Sequence, residues 1–108
     1  MLKVLVLEVG KAPVVVELND TLKDMQDLVG GYIETTGMFG EVLCVCNEEG
    51  KLQGLPANFI NRNGDLIVGD VFFTAPGEDG EFRDLTGEEI RLLMGIFKLR
   101  TELCARGL

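Results

Sequence analysis

The chain has 108 residues, 18 acidic and 10 basic side chains, a formal charge of −8 and no histidine. That length suits one domain over residues 1–108, with a hydrophobic core that needs no disulfide staples. The missing histidine removes every Ser-His, Cys-His and His-metal arrangement, and the acidic balance argues against direct nucleic-acid binding by phosphate neutralisation.

Hydrophobic residues make up 46% and charged residues 26%, so a folded globule is expected rather than a disordered chain. No apolar run approaches the roughly 20 residues that span a bilayer. Met1 to Val9 is interrupted by Lys3 and Glu8 and lacks a small-residue cleavage site. It reads as a strand and not a leader, which points to a cytoplasmic protein without a membrane partner.

Lys3 to Glu8 and Val14 to Leu18 are β-branched, strand-like runs joined by the turn Gly10-Lys11-Ala12-Pro13. Leu22, Met25, Leu28, Val29, Tyr32 and Ile33 then fall at helical spacing, with Asn19, Asp20 or Thr21 as cap. Gly30-Gly31 sits inside that stripe, either for close packing on the sheet or as an early helix end. A backbone that must approach a ligand is the other explanation. Thr36 to Gly40 reads as a loop and Glu41 to Cys46 as a third strand. Asn47-Glu48-Glu49-Gly50 is a hairpin turn, with Lys51 to Gln53 returning as a short strand. Leu55 to Arg62 is expected to be a helical turn or irregular crossing. Asn63-Gly64 is a second turn, followed by Leu66 to Val68 and Val71 to Ala75 as one bent strand or two, then an acidic loop from Pro76 to Gly80.

Thr86-Gly87-Glu88-Glu89 fits a capping box and opens a C-terminal helix over 86–106. One apolar stripe is Ile90, Leu93, Met94 and Phe97. A second, Leu92, Ile96, Leu99 and Leu103, widens the apolar surface beyond a narrow face. Such a helix is sandwiched deeply or shared with a partner, so Leu99 is a candidate contact in a homodimer. The order ββαββ(β)α predicts a small α+β domain, a mixed or antiparallel sheet packed by two helices. The opening hairpin and helix also resemble the start of a β-grasp, kept as the alternative topology.

Three stretches together carry a wider resemblance: Leu28 to Glu34, Cys46 to Leu52, and Gly54-Leu55-Pro56-Ala57-Asn58. In this order, over roughly residues 2–75, the chain resembles a family of short proteins known only as a domain of unknown function. The resemblance implies a setting in bacteriophages, conjugative elements and Gram-positive, often gut, bacteria. The family pattern has Arg directly after Leu-Pro-x-Asn, where this chain has Phe59, with Arg62 three residues on. It implies a genomic context and no activity.

The residues favour binding over catalysis. Gly30, Gly31, Tyr32, Glu34, Asn47, Glu48 and Asn58 are the candidate small-ligand site, a polar pocket floored by the two glycines. An enzyme there would depend on a carboxylate such as Glu34, without a spacing that signals catalysis. Cys44, Cys46 and Cys104 lack zinc or redox spacing and read as free thiols. No metal site and no cofactor is expected.

Charge is concentrated. Residues 63–89 hold eight acidic groups and one basic, a local −7, whereas residues 90–108 hold four basic and one acidic, +3. The ordinary consequence is a solvated acidic surface. The functional alternative is an acidic face, with Glu78, Asp79 and Glu81 at its centre, that engages a host protein and mimics nucleic acid in its groove. The leading expectation is a non-catalytic accessory binding protein of a mobile genetic element, taking a small ligand or a protein partner.

Overall fold

Strands β1 (Leu2–Leu7), β7 (Val71–Pro76) and β4 (Val42–Asn47) are nearly continuous apolar runs, because both faces of the sheet they form are covered. The computed structural model describes residues 1–107. The full order is β1, β2 (Val14–Leu18), α1 (Leu22–Val29), β3 (Ile33–Phe39), β4, β5 (Ala57–Ile60), β6 (Leu66–Val68), β7, a 3-10 turn over Glu78–Gly80, β8 (Phe82–Arg83), α2 (Gly87–Ile96) and α3 (Lys98–Ala105). The main sheet runs β2-β1-β7-β4-β3, with β8 paired to β7, and β5-β6 form a separate hairpin. The fold is α+β with an antiparallel sheet and three α-helices. Every strand pairing is antiparallel. A β-grasp, with its parallel central pair, is therefore not the arrangement.

Side chains alternate across each central strand, as the strand period of two requires. Leu2, Val4, Val6, Val45 and Phe72 meet Met25 and Val29 of α1 on one face. Leu5, Leu7, Cys44, Cys46, Phe73 and Ala75 meet Leu93 and Phe97 on the other. Phe59 and Ile67 of the small hairpin complete that second layer. Among the described residues no helix is long and apolar enough to cross a membrane.

Several local expectations change. Helix α1 stops at Val29, and Gly30, at φ 82°, is its left-handed C-cap, with its amide donating to the Gln26 carbonyl. Gly30-Gly31 thus ends the helix instead of lying within it. Tyr32 and Ile33 lie beyond the helix, and the expected loop at 36–40 is mostly strand β3, paired along β4. Apolar spacing carried the helical pattern too far because Ile33 faces α1 from the sheet. Lys51 to Gln53 are turns, not a strand, and Leu55 to Arg62 holds β5 instead of a helical turn. β5 pairs with β6 around the Asn63-Gly64 turn.

The C-terminal helix is two helices, broken at Phe97, which sits at φ −100° and ψ 21°. Gly95 weakens the helix just before the break. The Phe97 ring packs into the core with Phe59 and Phe73, at centroid distances of 5.4 and 5.7 Å. Beyond it, Arg100 donates through Nη1 to Asn58 Oδ1 (2.7 Å) and through Nη2 to the Asn58 carbonyl.

The N-terminus of α2 has the expected capping box. Thr86 Oγ1 accepts from the Glu89 amide, and Glu89 Oε1 accepts from the Thr86 amide. Glu89 also accepts a bidentate pair from Arg83 at 2.9 and 3.0 Å, and Arg83 reaches Glu41 at 2.9 Å. The Arg83 guanidinium, opposed by burial and aided by the Thr86 amide, lowers the Glu89 carboxyl to about 2. Because the folded value lies below the ordinary one, this contribution is complete above about pH 4.5 and is lost as pH falls through about 2. Its size is on the order of 2–3 kcal/mol. Urea titrations from pH 6 to pH 2 should show this loss in the wild type and a flatter profile in Glu89→Gln. Parallel profiles would refute the assignment.

Candidate functional site

The candidate polar residues do not converge on one cleft. Asn47 is buried at the end of β4, where its Nδ2 donates to the Val29 carbonyl (3.2 Å) and to Gln53 Oε1 (3.0 Å). Its Oδ1 accepts from the Glu49 amide at 2.8 Å. All three hydrogen bonds hold the end of α1 and the 48–54 turns against the sheet. A Cβ at Gly31 would lie 2.9 Å from Asn47 Nδ2, so the glycine permits this close packing. Gly30, Gly31, Tyr32 and Asn47 line an open hollow of about 550 Å³, and the Tyr32 ring is 66% exposed.

Glu34 and Glu48 line a different hollow of about 230 Å³ beside β6, where Asn47 also contributes. Cys46 and Lys51 are there too. The Cys44 S–H lowers the Cys46 thiol by hydrogen bonding to its charged form, against burial and the Glu34 carboxylate. Cys44 itself is pushed up by that bond to Cys46 and by burial. All three cysteines are free, with Cys44 and Cys46 buried. Among the described residues no cluster of three metal-ligating side chains occurs.

Asn58 lies in neither hollow. It is buried under α3, where Nδ2 donates to the Leu7 and Gly69 carbonyls at 2.9 and 2.8 Å and Oδ1 accepts from Arg100. It ties β1, the β6-β7 turn and α3 together. Sequence spacing cannot separate such an Asn from a ligand-binding one, since both need a polar group among apolar neighbours.

The acidic stretch is partly committed to the fold. Asp70 accepts from the Val9 amide, Asp84 from the Lys3 amide, and Glu89 from Arg83. Glu88 pairs with Arg91 at 3.5 Å. Glu78, Asp79 and Glu81 remain exposed around the 3-10 turn. They form a small acidic tip and not a continuous face.

The most apolar concavity lies elsewhere. Met38 and Phe39 at the end of β3, Phe59 and Ile60 of β5, and Leu92, Ile96 and Phe97 line a groove of about 550 Å³. Asn61 and Arg62 supply its polar groups, and no carboxylate lines it. That volume is within the ordinary range for small-ligand sites, which are mostly apolar with a few polar groups. Ile96 is 52% exposed and Leu92 48%, so this wall of the groove is open. Only the second stripe of the C-terminal segment hinted at it. The aromatic and apolar partners come from β3 and β5, one expected to be a loop and the other a helical turn or irregular crossing.

Asn61 is 7% exposed. Its Oδ1 accepts from the amides of Asn63 and Asp65, both at 3.0 Å, which builds the turn after β5. Its Nδ2 is the buried side-chain polar atom that has no partner among the described residues. A buried donor left this way costs ~1–3 kcal/mol.

The fold and groove define a small α+β domain with a preformed apolar concavity. A family model described as Domain of unknown function (DUF3846) matches residues 2–98, and the chain belongs to that family. The match runs from β1 through α2 and includes every residue lining the groove, whereas Leu99 and Arg100 lie beyond it. No curated protein and no solved structure matches the chain.

Proposed function

We propose that the chain is a non-catalytic binding module of a mobile genetic element, acting in the cytoplasm, and that it holds a small apolar ligand in the groove between β5 and α2. The observation that carries this is the groove itself: seven apolar or aromatic residues around about 550 Å³, lined by no carboxylate in a protein with 18. The mobile-element setting rests on the three sequence stretches that resemble phage and conjugative-element proteins. Binding, not turnover, is favoured because the carboxylates of the chain are spent on caps and ion pairs or stand in solvent.

The test is a thermal-unfolding titration with 1-decanol, a neutral aliphatic probe. Ligand at 100 times its dissociation constant should add about 2.7 kcal/mol of stability. Ile96→Asp places a charge on the open wall and should remove that gain without unfolding the protein. No gain in the wild type, or an equal gain in the variant, would refute the groove as the binding site.

The second stripe continues past the groove onto α3, where Leu99 is 67% exposed and Leu103 36%. We propose self-association through this face. Light scattering should give twice the chain mass for the wild type and the chain mass for Leu99→Glu. A monomeric wild type would end the idea.

A further inference from the structure

We infer that the groove selects an amphipathic ligand, an apolar chain or ring ending in a carboxylate, and that Asn61 and Arg62 are the groups that recognise its anionic end. The inference rests on the groove being the binding site and adds the chemistry of what fills it.

Two independent features point to an acceptor-bearing ligand. The first is Asn61. Its orientation is fixed by the two backbone amides that donate to Oδ1, so Nδ2 cannot exchange places with the oxygen without breaking both bonds. That leaves a donor with no protein acceptor, on a residue 7% exposed that lines the groove. Buried donors are nearly always paired, and an exception calls for a partner or a role. Because Asn61 lines the groove, an acceptor entering the groove is the partner proposed for Nδ2.

The second feature is Arg62. It comes directly after Asn61, lines the same groove, is exposed, and makes no ion pair among the described residues. Arg83 and Arg100, by contrast, are held by Glu89 and Asn58. A guanidinium and an amide donor lining one groove suit a planar, two-oxygen acceptor, because the carboxylate takes the fork with one edge and the amide with another lone pair. The remaining walls, Met38, Phe39, Phe59, Leu92, Ile96 and Phe97, offer nothing polar from their side chains. An apolar body therefore lies against them while its charged end stays at Asn61-Arg62.

The experiment compares decanoate with 1-decanol, which share an alkyl chain and differ in the head group, by calorimetric titration of the full chain. Wild type should bind decanoate at least about tenfold more tightly, the gain expected of one charge-assisted hydrogen-bond pair. Asn61→Asp keeps the oxygen that the two amides need while replacing the donor with a carboxylate. It should reduce or reverse the preference, with its fold checked by urea unfolding without ligand. Arg62→Gln, at an exposed position, should also reduce the preference and is read independently if Asn61→Asp fails to fold. Equal affinities for the two probes, or a preference that survives both substitutions, would overturn the inference while leaving the apolar groove in place. Binding of neither probe would overturn the groove reading itself.

Discussion

Replacing Asn58 with alanine is expected to lower the unfolding midpoint by about 10 °C or more. The side chain pairs with the Leu7 carbonyl on β1, the Gly69 carbonyl before β7 and the Arg100 guanidinium on α3. Truncation leaves two buried carbonyls without their donor and frees one arm of the guanidinium. Each unpaired buried group costs ~1–3 kcal/mol, which for the two carbonyls makes a total of about 2–6 kcal/mol. Arg100→Ala should cost less, since the two acceptors it strips, Asn58 Oδ1 and the Asn58 carbonyl, are only partly buried, and the buried Leu7 and Gly69 carbonyls stay satisfied. Circular dichroism melts of the two variants decide the matter. If Asn58→Ala costs no more than Arg100→Ala, the tie between β1 and the β6-β7 turn is not where the stability lies.

Phe97→Ala is expected to cost ~3–5 kcal/mol, the usual range for deleting a core aromatic ring. Phe97 is 7% exposed, meets Phe59 edge-on and Phe73 at a tilt, and lies 5.7 Å beneath the Arg100 guanidinium. It occupies the break between α2 and α3, so its loss removes both the packing and the anchor that sets the direction of α3. Phe97 also lines the groove, and decanol binding should weaken together with stability. Phe97→Leu keeps much of the volume and should recover part of both. A urea midpoint that moves for Phe97→Ala while the slope stays constant would show lost stability without a change in the surface exposed on unfolding. An unchanged midpoint would contradict the aromatic cluster as a source of stability.

The regular parts of this fold were legible because their signals are local. Val15 to Leu18 alternates its exposure within an edge strand, and Thr86 to Glu89 satisfies its own unpaired amides within four residues. The Asn63-Gly64 turn lies where its residue types put it, between β5 and β6. The errors arose where one apolar pattern served two elements. Val29 and Ile33 are four apart, as in a helix, yet one ends α1 and the other starts β3, and both pack into the same core layer. Leu55 to Arg62 carries too few alternating residues to show that its middle is a strand, since β5 gains its stability from pairing with β6.

The site residues divide in the same way. A helix end at Gly30 was one of three explanations the sequence left open, and the left-handed C-cap is the one the backbone adopts. Asn47 and Asn58 looked alike in sequence and lie on different sides of the fold, each absorbed by backbone groups from distant segments. Leu92 and Ile96 were visible as an extra stripe, without the β3 and β5 residues that turn the stripe into a groove wall.

By itself the sequence determined an α+β fold, an acidic chain without histidine chemistry, the capping box and the surplus apolar face near the C-terminus. These features arise from composition and from contacts within a turn or two of the chain. Tertiary structure alone decided that the acidic stretch is half consumed by backbone amides and ion pairs. It also decided that Gly30 caps α1 and Gly31 packs against Asn47, and that an apolar groove with one unpaired amide stands at β5 and α2. Those features depend on which distant residues meet, and local spacing carries no record of such meetings.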